Sequence, residues 1–348
     1  MLALRKMASE PGLALCDVPH PGSPGPGEVL IEVSATGICG SDLHIETWTE
    51  SYRAFMSAIL PVTLGHETAG RVIEAGLGVA SPALGDRVVI NPAVACGRCV
   101  PCRRGDPVGC VDRQAVGMVR NGAFARYVIA PAEYCYRLPD AIPEELGALV
   151  EPVSVGAHAL AVGGFQRGDR VVVFGPGPIG QGAAVLAKEM GAGEVVVVGR
   201  DDPARFETLR RAGITRLFDL IEPDAPQRLA AAAGEGFDLA IDAAGVAAVV
   251  DQALKLLRPC GVLAVAGLPE EPALFDVLLL VKKRLQVRGV SRIPPAAWAT
   301  VLEVMAANPP AFAPLITHRL PLADAQAGFD LCHRRLASKV LLVPESVD

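Results

Sequence analysis

The chain has 348 residues, 51% of them hydrophobic and 20% charged, so it should fold as a globular protein with room for two domains. A net charge of −6 and a pI near 5.6 give no basic face for nucleic acid. No apolar stretch approaching the roughly 20 residues that cross a bilayer stands out. Residues 1–10 lack the apolar centre of a secretory leader, and a soluble, cytoplasmic protein is expected.

Up to about residue 150, short β-branched runs at 29–34, 70–74, 86–91 and 124–129 are separated by Gly and Pro. They predict strands of a small barrel-like domain. From about residue 153 strands alternate with Ala- and Leu-rich helices. Strands are expected at 170–174, 194–198, 237–242 and 262–266, and helices at 179–190, 203–212 and 247–257. That alternation argues for a doubly wound parallel sheet. Past about residue 290 the segments are interrupted by proline and end in a strand at 339–343.

In the first domain, Cys39-Gly40-Ser41-Asp42-Leu43-His44 and Gly65-His66-Glu67 supply a thiolate, an imidazole and a carboxylate, and Glu151 adds a second carboxylate. Three protein ligands plus an open position is the arrangement of a catalytic zinc. Any one of these residues alone reads as structural; their conjunction, with glycines flanking both groups, favours metal. Trp48, Tyr52 and Phe55 follow; they would line a pocket or cover the barrel.

Four further cysteines, Cys96, Cys99, Cys102 and Cys110, form a Cys-x2-Cys-x2-Cys-x7-Cys run. Four thiolates meet the tetrahedral preference of zinc and close its coordination sphere, which makes the site structural. Disulfides do not suit an intracellular chain, while an iron–sulfur cluster is left open by the x2 gaps. Cys16, Cys135, Cys260 and Cys332 read as buried or half-buried thiols.

Gly175-Pro176-Gly177-Pro178-Ile179-Gly180 follows the strand at 170–174 and opens a helix, the context a dinucleotide-binding loop requires. Gly175 would permit the tight turn, Gly177 the close approach of a pyrophosphate, and Gly180 the packing of helix on strand, with Pro178 and Ile179 at the helix start. The acidic residue expected at the end of the second strand in NAD enzymes is replaced by Gly199, followed by Arg200, Asp201 and Asp202. Arg200 would suit a 2′-phosphate and Asp201 or Asp202 the ribose hydroxyls. The balance favours NADP, with NAD open.

Gly65-His66-Glu67-x2-Gly70-x5-Gly76-x2-Val79, Gly27-Glu28-Val29-Leu30, Gly85-Asp86-Arg87-Val88, the four-cysteine lobe and the glycine loop together resemble the medium-chain zinc-dependent alcohol dehydrogenases over nearly the whole chain. Cys39-Gly40-Ser41-Asp42 and the Glu67/Glu151 pair are similar to sorbitol-type polyol dehydrogenases. Residues 38–45 and Ile316-Thr317-His318-Arg319 resemble L-threonine 3-dehydrogenases. The resemblance implies a GroES-like β-barrel catalytic domain over 1–152, with a structural zinc lobe at about 92–112. It also implies a Rossmann NAD(P)-binding domain over 153–290, a C-terminal return to the catalytic domain over 291–348, and a homo-oligomer, dimer or tetramer.

Two zinc ions per chain are then expected. Cys39 and His66 would hold the catalytic one, with Glu67 as third ligand or exchanging with Glu151 or water. Ser41 would take the proton of an alcohol substrate and pass it towards the cofactor ribose and His44. The leading expectation is oxidation of a secondary alcohol, most naturally a polyol or sugar alcohol, by NAD(P)+, with threonine-like amino alcohols as the alternative. A zinc-stabilised nucleotide-binding redox sensor without turnover is the rival from another class; it would have no need of Cys39, Ser41, His66 and Glu67 together.

Overall fold

The structure is a computed structural model describing residues 1–345; the side chain of Phe55 lies outside the described residues. It separates into two compact units, Met1–Glu151 joined by the segment from Ile316 onward, and Pro152–Leu315. Residues 291–315, expected with the first unit, belong to the second. Their helices Pro295–Ala307 and Pro309–Phe312 bury Trp298, Val301, Met305 and Phe312, and proline at their first turns starts helices here instead of breaking them.

The first unit is built on a sheet in the order Cys135–Arg137, Arg87–Ile90, Glu67–Ala75, Glu28–Gly37, Lys339–Val343 and Ile316–Pro321, with Tyr127–Pro131 also on Glu28–Gly37. Strand Glu28–Gly37 alternates buried Val29, Ile31 and Val33 into one core with Val72, Val88, Ile90 and Val128. Its antiparallel ladder with Glu67–Ala75 runs from Val29 opposite Ala75 to Gly37 opposite Glu67. On its other side Leu341 stands opposite Gly37. One end of the sheet therefore gathers Gly37, Glu67 and the start of the C-terminal strand. The expected strand at 124–129 begins only at Tyr127, because Phe124 turns into a second core with Ile45, Met56, Leu64 and Phe329. Helices Gly40–Thr47 and Glu50–Met56 occupy a stretch where the sequence suggested no element.

The second unit holds a six-stranded sheet in the order Arg216–Asp219, Glu194–Gly199, Arg170–Phe174, Phe237–Asp242, Leu257–Val265 and Gln286–Gly289, parallel throughout. In chain order this is 3-2-1-4-5-6, the doubly wound arrangement with its switch point at the first strand. Val171, Val172, Val173, Val196 and Val197 are fully buried, as β-branched residues of strands covered on both faces must be. The strand expected at 262–266 starts earlier, at Leu257.

Two further expectations are corrected. Residues Glu144–Gly163 do form a helical run long and apolar enough to cross a membrane by length and composition, but 72% of its most apolar window is buried within the protein, as in a core helix. Cys260 is exposed, not buried, while Cys16 and Cys332 are half-buried and Cys135 is buried.

Candidate active site and metal centres

Cys39 sits just ahead of helix Gly40–Thr47 in extended conformation, and its backbone N–H donates to Asp42 Oδ2 at 2.9 Å. That cap, the side-chain-to-backbone bond typical of a helix start, aims Cys39 at the residues that open strand Glu67–Ala75. The ligand atoms of Cys39, His66 and Glu67 all lie within 4.8 Å of one another. His66 and Glu67 are buried and Cys39 is half-buried.

Several groups hold this cluster. Asp42 Oδ1 lies 3.6 Å from His66 Nδ1, leaving Nε2 towards the cluster, as the outer partner of a metal-bound histidine does. Lys339 Nζ donates to both oxygens of Glu67, at 2.7 and 2.5 Å, and to the Ile38 carbonyl at 2.9 Å. Gly37 is required opposite Glu67, since a Cβ there would stand 2.1 Å from Glu67 Oε2.

The donor chemistry fits a divalent cation. Thiolate, imidazole and carboxylate converge, with two more acidic groups around them. Desolvation pushes Asp42 up to about 6 and Glu151 up to about 7, with Glu67 adding to the latter. For His66, burial opposes the charged form, but Asp42 and Cys39 outweigh it and hold the ring well above its ordinary range. Lys339 is the buried cation against Glu67, while burial still holds Asp42 and Glu151 above their ordinary range. Glu151, in the first turn of helix Val150–Gly163, stands within electrostatic range of His66 and Glu67 but outside the tight three-residue group.

Ser41 Oγ lies 3.3 Å from His66 Nε2 and is hydrogen-bonded to the Tyr52 hydroxyl, which desolvation first, then Cys39 and Asp42, push up to about 12. The Tyr52 ring stacks on His44, with centroids 6.1 Å apart and planes at 10°. His44 itself is exposed. Trp48 is buried in the core beneath Lys6, so of the pair only Tyr52 faces the site. The contacts of Asp42, Lys339 and Tyr52 escaped the sequence reading. Asp42 carried a local signal, an acid three residues into a helix that starts at a ligand; Lys339 carried none.

The four lobe cysteines also converge, all ligand atoms falling within 4.8 Å. Cys99 Sγ is 3.3 Å from Cys102 Sγ and 3.8 Å from Cys110 Sγ, too far for disulfides and close enough to share one ion. Backbone amides of Cys96 and Cys99 donate to Cys110 and Cys96 sulfurs. Donors of this kind hold Cys99 down at about 6, led by the Cys102 amide, whereas desolvation pushes Cys102 up to about 12.

In the second unit Gly175 takes φ +99°, Gly177 leaves open space where a Cβ would stand, and a Cβ on Gly180 would meet the Gly175 carbonyl at 1.9 Å. Pro178 and Ile179 start helix Pro178–Glu189. The loop has the shape of a phosphate cradle at a helix N-terminus. Gly199, which ends its strand, is walled in: a Cβ would lie 2.8 Å from both Pro176 and Phe206. Beyond it Arg200 and Asp201 are exposed, the Asp201 amide donates to Asp219 Oδ1, and Asp202 is buried, 3.3 Å from Arg205.

A GroES-like unit carrying a three-donor metal cluster, with a doubly wound dinucleotide-type unit, defines a zinc-type dehydrogenase. Residues 25–140 match the family model for the alcohol dehydrogenase GroES-like domain, and residues 178–307 that for the zinc-binding dehydrogenase. An L-threonine 3-dehydrogenase of Xanthomonas axonopodis pv. citri is 36% identical, over 98% of this chain and 99% of the relative. A sorbitol dehydrogenase of Halalkalibacterium halodurans is 34% identical over 95% of each. A short chain alcohol dehydrogenase from E. coli CFT073, solved with NADH, superposes with TM-score 0.87 at 27% identity, each chain 99% covered. The chain belongs to the zinc-dependent medium-chain alcohol dehydrogenases.

Proposed function

We propose that the chain oxidises a secondary alcohol of the polyol or sugar-alcohol class with NAD(P)+, using Cys39, His66 and Glu67 to hold one zinc and the four-cysteine lobe to hold a second. The observation that carries the reading is the convergence of Cys39, His66 and Glu67 beside the Ser41 hydroxyl. Zinc in such a site lowers the pKa of a coordinated hydroxyl, for water from 15.7 to about 7.

Ser41 then accepts the substrate hydroxyl proton. It passes the proton on towards the cofactor ribose and the exposed His44. Hydride leaves the carbinol carbon for the nicotinamide, so alcohol and NAD(P)+ become ketone, NAD(P)H and one proton. Gly175, Gly177, Pro178, Ile179 and Gly180 take the pyrophosphate, and Gly199, Arg200 and Asp201 border the adenosine ribose. Arg200, beside a position that admits no acid, favours NADP.

Threonine is the second reading, supported by relatives of that name at 36% identity. Sorbitol dehydrogenase at 34% supports the first. We also propose a homo-oligomer, dimer or tetramer. Its supports are the open edge of strand Gln286–Gly289 and the exposed Leu274, Leu278 and Val281 earlier in the chain, since open edges are ordinarily covered and exposed apolar surface marks interaction sites. The converging sulfurs of Cys96, Cys99, Cys102 and Cys110, which must stay reduced to hold a metal, support a reducing, cytoplasmic setting.

The test combines metal content with an NAD(P)+ reduction screen over polyols, butanediols and threonine. Two metals per chain, one of them lost in Cys39→Ser, with NAD(P)H formed from a polyol, is the expected result. One metal per chain, unchanged in Cys39→Ser, with no substrate turned over, would replace the enzyme by a nucleotide-binding protein.

A further inference from the structure

Glu67 is fully buried, and a single buried cation, Lys339, spans both of its oxygens. The third proton of that ammonium goes to the Ile38 carbonyl, one residue before Cys39. Strand pairing places it there: Leu341 stands opposite Gly37 and the Ile38 amide donates to the Val340 carbonyl, so Lys339 lies across from Cys39. One side chain thus ties the segment of one candidate ligand to the carboxylate of another.

Each carboxylate oxygen keeps a second lone pair, so Glu67 can face a metal while bonded to Lys339. It does so as a weakened donor, because the ammonium already neutralises part of its charge and fixes its position. Against a doubly charged ion, a carboxylate without that restraint would bind harder and leave less readily.

We infer that Lys339 is a positioning residue that restrains Glu67 as a metal ligand and so keeps one position beside Cys39 and His66 exchangeable for the substrate hydroxyl. The inference rests on the metal reading proposed above and adds the control of ligand exchange to it.

The experiment measures zinc affinity at the Cys39-dependent site by chelator competition on the full-length protein, alongside kcat and KM. It compares wild type, Lys339→Met, Glu67→Gln and Lys339→Met/Glu67→Gln. Lys339→Met should bind zinc about tenfold more tightly or better, and release it more slowly, while kcat falls at least about tenfold. The double variant should match Glu67→Gln alone, since Lys339 acts through Glu67.

Zinc binding that is unchanged or weaker in Lys339→Met, or a gain that persists in the double variant, overturns the inference. Should Lys339→Met fail to accumulate, Lys339→Arg decides. A guanidinium still spans both oxygens, so affinity and kcat should stay within about threefold of wild type, and a tenfold gain in zinc affinity would overturn the assignment. A metal content indifferent to Cys39→Ser would remove the metal reading itself. A Cys39-dependent metal indifferent to Lys339 removes only this inference.

Discussion

Ser41 Oγ lies 3.3 Å from His66 Nε2, so the residue proposed to take the substrate proton touches a proposed metal ligand directly. Ser41→Ala should lower kcat by roughly 10²- to 10⁴-fold, the span of a single proton-transfer group, without changing metal content. Ser41→Thr, which keeps the hydroxyl, should restore most of the rate. Steady-state kinetics with metal analysis on both variants check this, and an active Ser41→Ala enzyme would move the proton path elsewhere.

The cysteine lobe predicts the opposite pattern. Cys99 reaches Cys102 and Cys110 at 3.3 and 3.8 Å but touches none of Cys39, Ser41 or His66 among the described contacts. Cys99→Ala should lose one metal per chain and lower Tm, since structural zinc supplies about 10–16 kcal/mol of apparent binding free energy in small peptides. The folded fraction should retain near wild-type kcat. Calorimetry and active-site titration separate the two effects; a stable variant impaired only in kcat would contradict a structural role.

Cofactor choice turns on Arg200 and Gly199. Arg200→Ala should reduce kcat/KM for NADP+ by about 10- to 100-fold, the worth of one charge-assisted hydrogen bond, and leave NAD+ nearly untouched. Gly199→Asp should not create an NAD enzyme. Its side chain would collide with Pro176 and Phe206, each 2.8 Å from a Cβ, and overpacking of this kind costs about 1–3 kcal/mol. Thermal melts and kinetics with both cofactors read these outcomes.

Gly37→Ala tests the sheet end beneath the Cys39, His66 and Glu67 cluster. Its Cβ would stand 2.1 Å from Glu67 Oε2 and 3.0 Å from Lys339, so the ion pair must shift. Zinc affinity at the Cys39-dependent site should change together with a fall in Tm of several degrees, about 1–3 kcal/mol of strain. A neutral Gly37→Ala would mean that Glu67 has room the structure does not show.

The oligomer prediction needs only size measurement. Leu278→Asp places a charge on an exposed apolar helix face, Val277–Lys283, and should leave the monomer folded while dissociating the assembly in light scattering. Wild-type protein that is monomeric at micromolar concentration would end that proposal.

Much of the fold was legible because its signals are local. Val171 to Phe174 followed by a glycine loop reads as a strand entering a helix wherever it occurs, and the expected bounds 170–174 and 237–242 match the observed strands. Cysteine spacing likewise predicts that the four lobe sulfurs converge, and they lie within 4.8 Å of one another, since gaps of two residues bring thiols together without help from the rest of the chain. Helices Gly40–Thr47 and Glu50–Met56 were not legible, because only tertiary packing of Ile45 and Met56 into a core with Phe124 and Phe329 decides them.

By itself the sequence determined the donor types, the dinucleotide loop and the class of chemistry, because side-chain identity and short spacing set these. The tertiary structure alone decided how the donors are held. Lys339 is 272 residues from Glu67 and 301 from Ile38, and a lysine at the start of a C-terminal strand looks like any surface cation. Only the antiparallel register that sets Leu341 against Gly37 buries it on Glu67. Likewise Gly199 shows a missing acid in the sequence, whereas Pro176 and Phe206 packed against it show why no side chain can stand there.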